Sequence, residues 1–261
     1  IFQQKSGSEC RFDRLAGAGV GTTDELCTFE QRRNAHEGPG ETPPPIATYP
    51  PRNLVRNVLK DGLRFEETLG VNPFRMGFIG STDTHNATGG NVEEAGWEGG
   101  AGNNDSSPDR QIDDGRNNPG GLAVVWAEEN SRDAVFEALK RRERCATSAT
   151  RPLVRFFGGE LRDVTCGADL VRNAYATGTP MGGELGPVRG EQSPRFAISA
   201  MKDPGTATRP GTDLARIQVV KGWVNAAGQT HERVFDVVQS PTPSPAVDPV
   251  TCTSSDPGLA D

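Results

Sequence analysis

Glycine and proline are unusually frequent in this chain, and their number limits how much of it can lie in helices and strands. The 261 residues include 32 glycines and 20 prolines, about a fifth of the total, and only 34% of the residues are hydrophobic. Both residue types favour turns and interrupt regular elements. We expect long connections at 11–51 and 87–121, where such residues concentrate. A chain of 261 residues can hold one α/β domain together with a smaller second domain.

Charge and motif content argue against several classes of protein. The formal net charge is −7, whereas a nucleic-acid-binding protein needs a basic face for phosphates, so we predict no nucleic-acid partner. No window of about 18 apolar residues is present, so we predict no transmembrane segment. The sequence contains neither the glycine pattern of a nucleotide-binding loop nor the Gly-x-Ser-x-Gly pattern of serine hydrolases. It does not decide the oligomeric state.

A helix followed by a strand is predicted in the first half of the chain. Apolar residues recur at three- and four-residue spacing from Leu54 to Leu63, with Asn53 as the predicted N-cap and Gly70 as the predicted end. The apolar run at 74–79 is typical of a buried strand. Because such units have a right-handed topology, the residues after this strand should emerge at the carboxyl end of a parallel sheet or barrel.

The second half of the chain changes character near residue 152. A strand is predicted at 122–126, followed by a helix that Asn130 or Ser131 caps. From about residue 152 onward the helical periodicity stops, and short strands are predicted at 153–157, 196–201, 214–220 and 230–238. We therefore predict three segments: 1–150 with α/β structure and the loop 87–121, 151–240 as a β-rich module, and 241–261 as a flexible tail.

The segment 74–86, FRMGFIGSTDTHN, ends in the residues best suited to chemistry. Side chains at positions i and i+2 of an extended segment point the same way, so Asp83 and His85 can hold one divalent metal ion. Gly77 and Gly80 near the end of the strand indicate a close backbone approach or room for a ligand. The alternative is an Asx-type turn that closes the strand, with the histidine ring bonded to a backbone carbonyl.

Several segments are similar to known families. GSTDTHN at 80–86 resembles the last metal-binding motif of the PHP superfamily (polymerase and histidinol phosphatase), in which a strand ends in Ser-Asp-x-His. Most of the chain resembles a mainly bacterial PHP-like group, the domain-of-unknown-function family 3604. The similar segments are FQQKSGSECR at 2–11, DELCTFE at 24–30, GVNPFRMGFIGSTDTHNATGG at 70–90, NPGGLAVVWAEENSRDAVFEALKRRE at 118–143, RPLVRFFGGE at 151–160 and KGWVNAAGQTHERVFDV at 221–237.

This resemblance implies both a fold and an activity. Residues 1–150 would form the C-terminal part of a distorted β/α barrel, followed by the β-rich module, for which a sandwich is one arrangement. The activity would be that of a metal-dependent hydrolase acting on a small phosphoester or related anionic ester through a metal-activated water. Asp83 and His85 would hold the divalent ion, Zn, Mn or Fe. The other ligands would come from an N-terminal part, because the early His-x-His motif of such proteins is absent here.

Four further residues are candidates for the same site. Glu9 follows the first predicted strand and is a candidate metal ligand, with an ordinary loop charge as the alternative. Lys5, Asn86 and Arg151 are candidates for binding an anionic substrate. For Lys5 and Arg151 the alternative is a solvated surface cation.

Three positions depart from the pattern of the resembling family and support a second hypothesis. Gln4 stands where a histidine is expected, Cys145 where a tyrosine is expected, and Ala149 where a glycine is expected. If these positions matter for activity, the chain is instead a non-catalytic barrel remnant with a β-module for binding or scaffolding.

The five cysteines bear on the cellular compartment. None of them forms a Cys-x-x-Cys pair, which argues against a structural zinc cluster. In an exported protein, Cys10 can pair with Cys27 across a glycine-rich loop, and Cys166 with Cys252. Free buried cysteines in a cytoplasmic protein are the alternative, so the sequence leaves a periplasmic, secreted or cytoplasmic location open.

Overall fold

The chain forms two compact units. The computed structural model describes residues 1–3, 6–28, 46–81, 121–148, 150–162, 164, 169–186, 193–208 and 210–239. Within these ranges, the first unit contains residues 1–75 and 205–239, and the second contains residues 76–81 and 121–204.

The described residues contain eleven short strands and three α-helices. The strands are β1 (Phe2–Gln3), β2 (Ser6–Gly7), β3 (Phe12–Asp13), β4 (Ala18–Gly19), β5 (Ala123–Val125), β6 (Arg144–Ala146), β7 (Leu153–Gly159), β8 (Gly178–Pro180), β9 (Arg195–Met201), β10 (Arg216–Val224) and β11 (Thr230–Gln239). The helices are α1 (Val55–Leu69), α2 (Arg132–Lys140) and α3 (Leu170–Thr177), and 3-10 turns lie at Ile46–Thr48 and Pro51–Asn53. None of these helices is both long and apolar enough to cross a membrane.

The first unit is built on α1 and the hairpin of β10 and β11. These two strands pair antiparallel over their whole length, and α1 packs on both of them. Two smaller antiparallel pairs, β1 with β2 and β3 with β4, lie in the N-terminal part. The predicted disulfide between Cys10 and Cys27 is present, with the two Cα atoms 5.4 Å apart, and both residues are buried. This confirms the first of the two cysteine pairings, whereas Cys166 and Cys252 lie outside the described residues.

The second unit is built on a three-stranded antiparallel sheet. Its strand order is β8-β7-β9, with β7 in the centre, and a separate antiparallel pair joins β5 to β6. The core consists of Phe157, Leu161 and Ala174, against which Val164, Val171 and Ala197 pack. The helix α3, which contributes Ala174, was not predicted from the sequence, because a helix of eight residues shows its periodicity too briefly.

The fold class predicted from the sequence is wrong. A β/α barrel requires parallel strands joined through helices, whereas every strand pair among the described residues is antiparallel. The architecture there consists of small antiparallel sheets with a few helices, and the described strands do not close a barrel. Five of the observed strands lie close to the predicted ones, so the error concerned the pairing of the strands. They are the strands at 123–125, 153–159, 195–201, 216–224 and 230–239.

The segment 74–79, which was predicted to be a buried strand, is not assigned to a strand: Phe74 lies in a turn, and residues 75–79 have no regular secondary structure. Met76 and Ile79 are 43% and 41% exposed, respectively. The Phe74 amide donates to the side-chain oxygen of Asn72 at 2.9 Å, and the Gly77 carbonyl accepts from Arg144 Nη2 at 3.4 Å. These contacts do not form a strand ladder. An apolar run indicates an extended segment, but a strand also needs a partner, which the run does not specify.

The helix ends test three capping predictions. Gly70 ends α1 in a left-handed conformation and Ser131 caps α2 by accepting from the Ala134 amide, as predicted. Asn53 does not cap α1, because it lies in the preceding 3-10 turn and the N-cap is Leu54. The predicted segment boundaries at residues 150 and 240 stay predictions, and most of the predicted loop 87–121 and the tail 241–261 lie outside the described residues.

Candidate functional site

The described residues on either side of the segment that carries the Asp-x-His motif, Ser81 and Gly121, are joined by a hydrogen bond in the second unit. The amide of Gly121 donates to the carbonyl of Ser81 at 3.0 Å, so the chain leaves and re-enters the described structure at neighbouring points. Thr147 reinforces this connection: its amide donates to the Leu122 carbonyl at 3.0 Å, and its hydroxyl accepts from the Leu122 amide at 3.2 Å. We call Ser81, Gly121, Leu122 and Thr147 the Ser81 anchor.

The predicted metal ligands Asp83 and His85, and the predicted substrate residue Asn86, lie outside the described residues. Asp83 follows Ser81 by two residues and His85 by four. The Ser81 anchor is the last described feature before the motif, and the metal site itself stays a prediction.

The two glycines beside the motif allow protein atoms to approach closely. A Cβ atom at Gly80 would lie 2.7 Å from the carbonyl oxygen of Thr147 and 3.0 Å from that of Leu122. A Cβ atom at Gly77 would lie 2.6 Å from Arg144 Nε. The predicted close approach is confirmed at both positions, and in each case it is made by this protein's own atoms.

A largely buried charge cluster lies in the first unit, beside α1 and the β10–β11 hairpin. We call it the α1 charge cluster, and its members are Glu9, Asp24, Arg56, Lys60 and Glu232. Arg56 Nη1 lies 2.9 Å from Asp24 Oδ2 and 3.2 Å from Glu232 Oε1. Lys60 Nζ lies 3.1 Å from Glu232 Oε2. The side chains of Asp24, Lys60 and Glu232 are each less than a tenth exposed.

Glu232 accepts three hydrogen bonds in this cluster. Besides Arg56 and Lys60, the hydroxyl of Thr22 donates to Glu232 Oε1 at 2.6 Å. A buried carboxylate is stable only when such donors replace the water it loses. Arg56 and Lys60 each lie more than 170 residues from Glu232 in the sequence, so no local sequence pattern predicts these contacts.

The predicted metal ligand Glu9 belongs to the same cluster. Its Oε1 lies 2.6 Å from Arg56 Nη2 and accepts from Arg56 Nε at 2.8 Å, and its side chain is 49% exposed. Burial tends to lower the pKa of Arg56, but the carboxylates of Glu9, Asp24 and Glu232 outweigh it, and the pKa is raised above its ordinary value. Glu9 therefore helps to hold a buried guanidinium. Nothing tests its predicted role as a metal ligand.

One group of described residues brings potential metal ligands together. Ligand atoms of Cys10, Asp24 and Cys27 lie within 4.8 Å of one another. The two sulfur atoms are joined in the disulfide and offer no thiolate, and Asp24 is paired with Arg56. This group does not fit a divalent ion, and the predicted metal ligands remain Asp83, His85 and Glu9.

The remaining predicted site residues are not brought together by the described contacts. Arg151 is exposed, and its backbone amide donates to Asp203 Oδ2 at 2.8 Å. It belongs to the second unit, whereas Glu9 belongs to the first. Lys5 lies outside the described residues, as do Gln4 and Ala149. Cys145 is a half-buried free thiol in β6, and its burial raises the pKa of that thiol.

The second unit also contains a cluster of polar and aromatic side chains that was not predicted from the sequence, and we call it the Tyr175 group. The phenol of Tyr175 donates to Glu143 Oε1, and Arg155 Nη1 donates to the phenol oxygen at 2.9 Å. The Arg155 guanidinium also lies over the Trp126 ring, 3.7 Å from its centroid. Glu143 is only 5% exposed. A buried carboxylate so partnered is recognisable only after the fold brings α3 beside the segment that precedes β6.

Comparison with known proteins places the chain in a family without assigning a role. The chain belongs to the family described as "Protein of unknown function (DUF3604)", whose model matches residues 1–256. No curated protein and no solved structure matches the chain. Membership of the domain-of-unknown-function family 3604 is thus confirmed, whereas the relation to the PHP superfamily stays a prediction.

Proposed function

We propose that this protein is a metal-dependent hydrolase related to the PHP superfamily, which acts on a small phosphoester or a related anionic ester. The observation that carries the proposal is the motif Ser81-Thr-Asp83-Thr-His85, which begins at the Ser81 anchor. A carboxylate and an imidazole two residues apart suit Zn, Mn or Fe. Membership of the family is consistent with this proposal and does not specify a reaction.

The proposed roles divide between the metal and the chain. A bound divalent ion would polarise the ester and lower the pKa of a water molecule, which supplies the nucleophile. Asp83 and His85 would hold the ion, with Glu9 as a further candidate ligand. Lys5, Asn86 and Arg151 would bind the anionic part of the substrate. The Ser81 anchor would limit how far the ligands can move, because the Ser81 carbonyl is bonded to the Gly121 amide and the adjoining Leu122 is bonded to Thr147.

Metal analysis of the protein and two variants tests this proposal. After incubation with Zn²⁺, Mn²⁺ and Fe²⁺ in turn, we expect the unmodified protein to retain one of them and to hydrolyse an aryl phosphodiester. Asp83→Ala and His85→Ala should lose the ion, with a fall in hydrolysis of about 100-fold or more, since even outer-shell partners contribute 10- to 100-fold.

His231→Ala is the matched control. The ring of His231 stacks on Trp223 with centroids 5.3 Å apart, and its Nε2 lies 2.9 Å from Asn225 Nδ2, so it already has partners within the hairpin. The control should keep both metal and activity. If the unmodified protein bound none of the three ions, the hydrolase proposal would be wrong, and a binding or scaffolding role would be favoured.

A further inference from the structure

A polar cavity opens beside the α1 charge cluster in the first unit. Its volume is about 600 Å³, which is within the range of small-molecule sites. One face of α1 lines it with Asn57, Lys60, Asp61 and Arg64, at helical spacings of three and four residues. Gly21, the turn that precedes α1 and the start of β11 complete the lining.

The mouth of this cavity holds two guanidinium groups on one carboxylate. Arg52 Nε lies 3.0 Å from Asp61 Oδ2, and Arg64 Nη2 lies 2.8 Å from Asp61 Oδ1. The side chains of Arg52 and Arg64 are 71% and 39% exposed, whereas Asp61 is 18% exposed. Two cations that share one anion leave one positive charge in excess at the mouth. Each guanidinium has five N–H groups and uses one of them in the Asp61 contact, so donors remain for a ligand.

The inner part of the cavity is polar but nearly charge-neutral. Lys60 Nζ donates to the Gly21 carbonyl at 2.6 Å and to Glu232 Oε2 at 3.1 Å. The Lys60 side chain is only 9% exposed and still has a third N–H group. Asn57 donates to the carbonyls of Val20 and Pro51 and leaves its own side-chain oxygen as an acceptor. This part of the cavity suits a neutral portion of a ligand that forms hydrogen bonds, whereas the mouth suits an anionic group of the ligand.

We infer that this cavity binds a small molecule through an oxyanion group, a phosphoryl or a carboxylate, held between Arg52 and Arg64. A planar guanidinium recognises such groups with paired N–H···O bonds, and Asp61 holds both guanidiniums beside each other before the ligand arrives. The inference uses residues of the first unit alone and does not depend on the proposed hydrolase activity.

Calorimetric titration with inorganic phosphate tests the inference. We expect saturable 1:1 binding to the unmodified protein, weakened by added NaCl because the exposed arginines are screened. Arg52→Ala and Arg64→Ala should each weaken binding about tenfold, and the double variant should abolish it, since a charge-assisted contact contributes roughly one decade in affinity. Arg52→Lys and Arg64→Lys keep the charge but lose the paired donors, and they should bind more weakly than the unmodified protein.

The matched control is Arg172→Ala. Arg172 lies 2.9 Å from Asp169 at the same i,i+3 spacing as Arg64 and Asp61, but it is 82% exposed and lies in the second unit. The Arg172→Ala variant should bind phosphate with the same affinity as the unmodified protein. Parallel titration with acetate separates the two sources of the oxyanion: tighter phosphate binding identifies a phosphoryl ligand, and tighter acetate binding a carboxylate. The inference is overturned if neither anion binds, or if the double variant binds as tightly as the control.

Discussion

Single residues in the α1 charge cluster link sequence-distant parts of the first unit. The α1 N-terminus illustrates this: the Val55 amide donates to the Ser8 carbonyl at 3.0 Å and the Arg56 amide to the Glu9 carbonyl at 3.1 Å. These carbonyls satisfy amides that would otherwise need a capping side chain. The Arg56 side chain then pairs with the Glu9 carboxylate. Backbone and side-chain contacts of the same two residues therefore join α1 to the N-terminal segment.

We expect Glu232→Gln to destabilise the protein by about 3 kcal/mol, because removal of one member of a buried ion pair leaves charges without compensation. Lys60 would lose its carboxylate partner, and Arg56 would lose one of three. Urea unfolding followed by circular dichroism measures the change in the free energy of unfolding.

Glu137→Gln is the control for this substitution. Glu137 pairs with Lys140 at 3.7 Å, and both side chains are more than half exposed, so its loss should change stability by less than about 1 kcal/mol. Equal effects of the two substitutions would contradict the role given to Glu232.

Tyr175 should make stability fall at high pH. Burial and the neighbouring Glu143 carboxylate raise the pKa of Tyr175 above 10.0, although Arg155 opposes them. Below pH 10 the phenol is protonated in both folded and unfolded states. As pH rises from about 10 through the folded-state pKa, the unfolded chain ionises first, so the free energy of unfolding decreases. Tyr175→Phe should remove this part of the pH dependence in urea unfolding at a series of pH values.

The pKa itself is accessible by absorbance titration. The chain has two tyrosines, so Tyr49→Phe leaves Tyr175 as the one phenol that titrates. A midpoint above 10 is expected, and a midpoint at or below 10 would show that Glu143 does not act on the phenol as described.

At the scale of elements, the Ser81 anchor joins the motif segment to the β5–β6 pair. Leu122 directly precedes β5 and Thr147 directly follows β6, so their mutual hydrogen bonds extend the antiparallel pairing beyond the strands. Gly80 fits against this extension because it has no Cβ. The anchor therefore depends on an element that follows the motif by more than sixty residues.

We expect Gly80→Ala to reduce the free energy of unfolding by about 1–3 kcal/mol, the usual cost of forcing an extra carbon into a packed site. The obstructing atoms are the backbone oxygens of Thr147 and Leu122, which cannot rotate away. Hydrogen exchange at the Gly121 amide should accelerate in the same variant, because its bond to Ser81 is disturbed.

Gly77→Ala separates this effect from a general intolerance of alanine. Its Cβ would meet the guanidinium end of Arg144, which is able to shift, so a smaller loss of stability is expected. A larger loss at Gly77 than at Gly80 would contradict the described anchor.

At the scale of the whole molecule, the two units contribute different candidate features. The first unit holds the disulfide, the α1 charge cluster and the polar cavity, and the second holds the Ser81 anchor and the Tyr175 group. A disulfide between buried cysteines is typical of proteins from oxidising compartments. The family model spans both units.

The sequence by itself determined the local features of this protein. It indicated α1 and its end at Gly70, the cap at Ser131, most of the longer strands and the Cys10–Cys27 pair, because each depends on spacing within a short stretch. It also located the Asp83-x-His85 motif, whose role stays a prediction.

The tertiary structure alone decided how these parts combine. Antiparallel pairing replaced the predicted barrel, and the segment 74–79 is not assigned to a strand. Glu232 pairs with Arg56 and Lys60, which lie more than 170 residues before it in the sequence. The physical reason is that periodicity records which face of an element is apolar. It does not record which distant residues will cover that face or neutralise its charges.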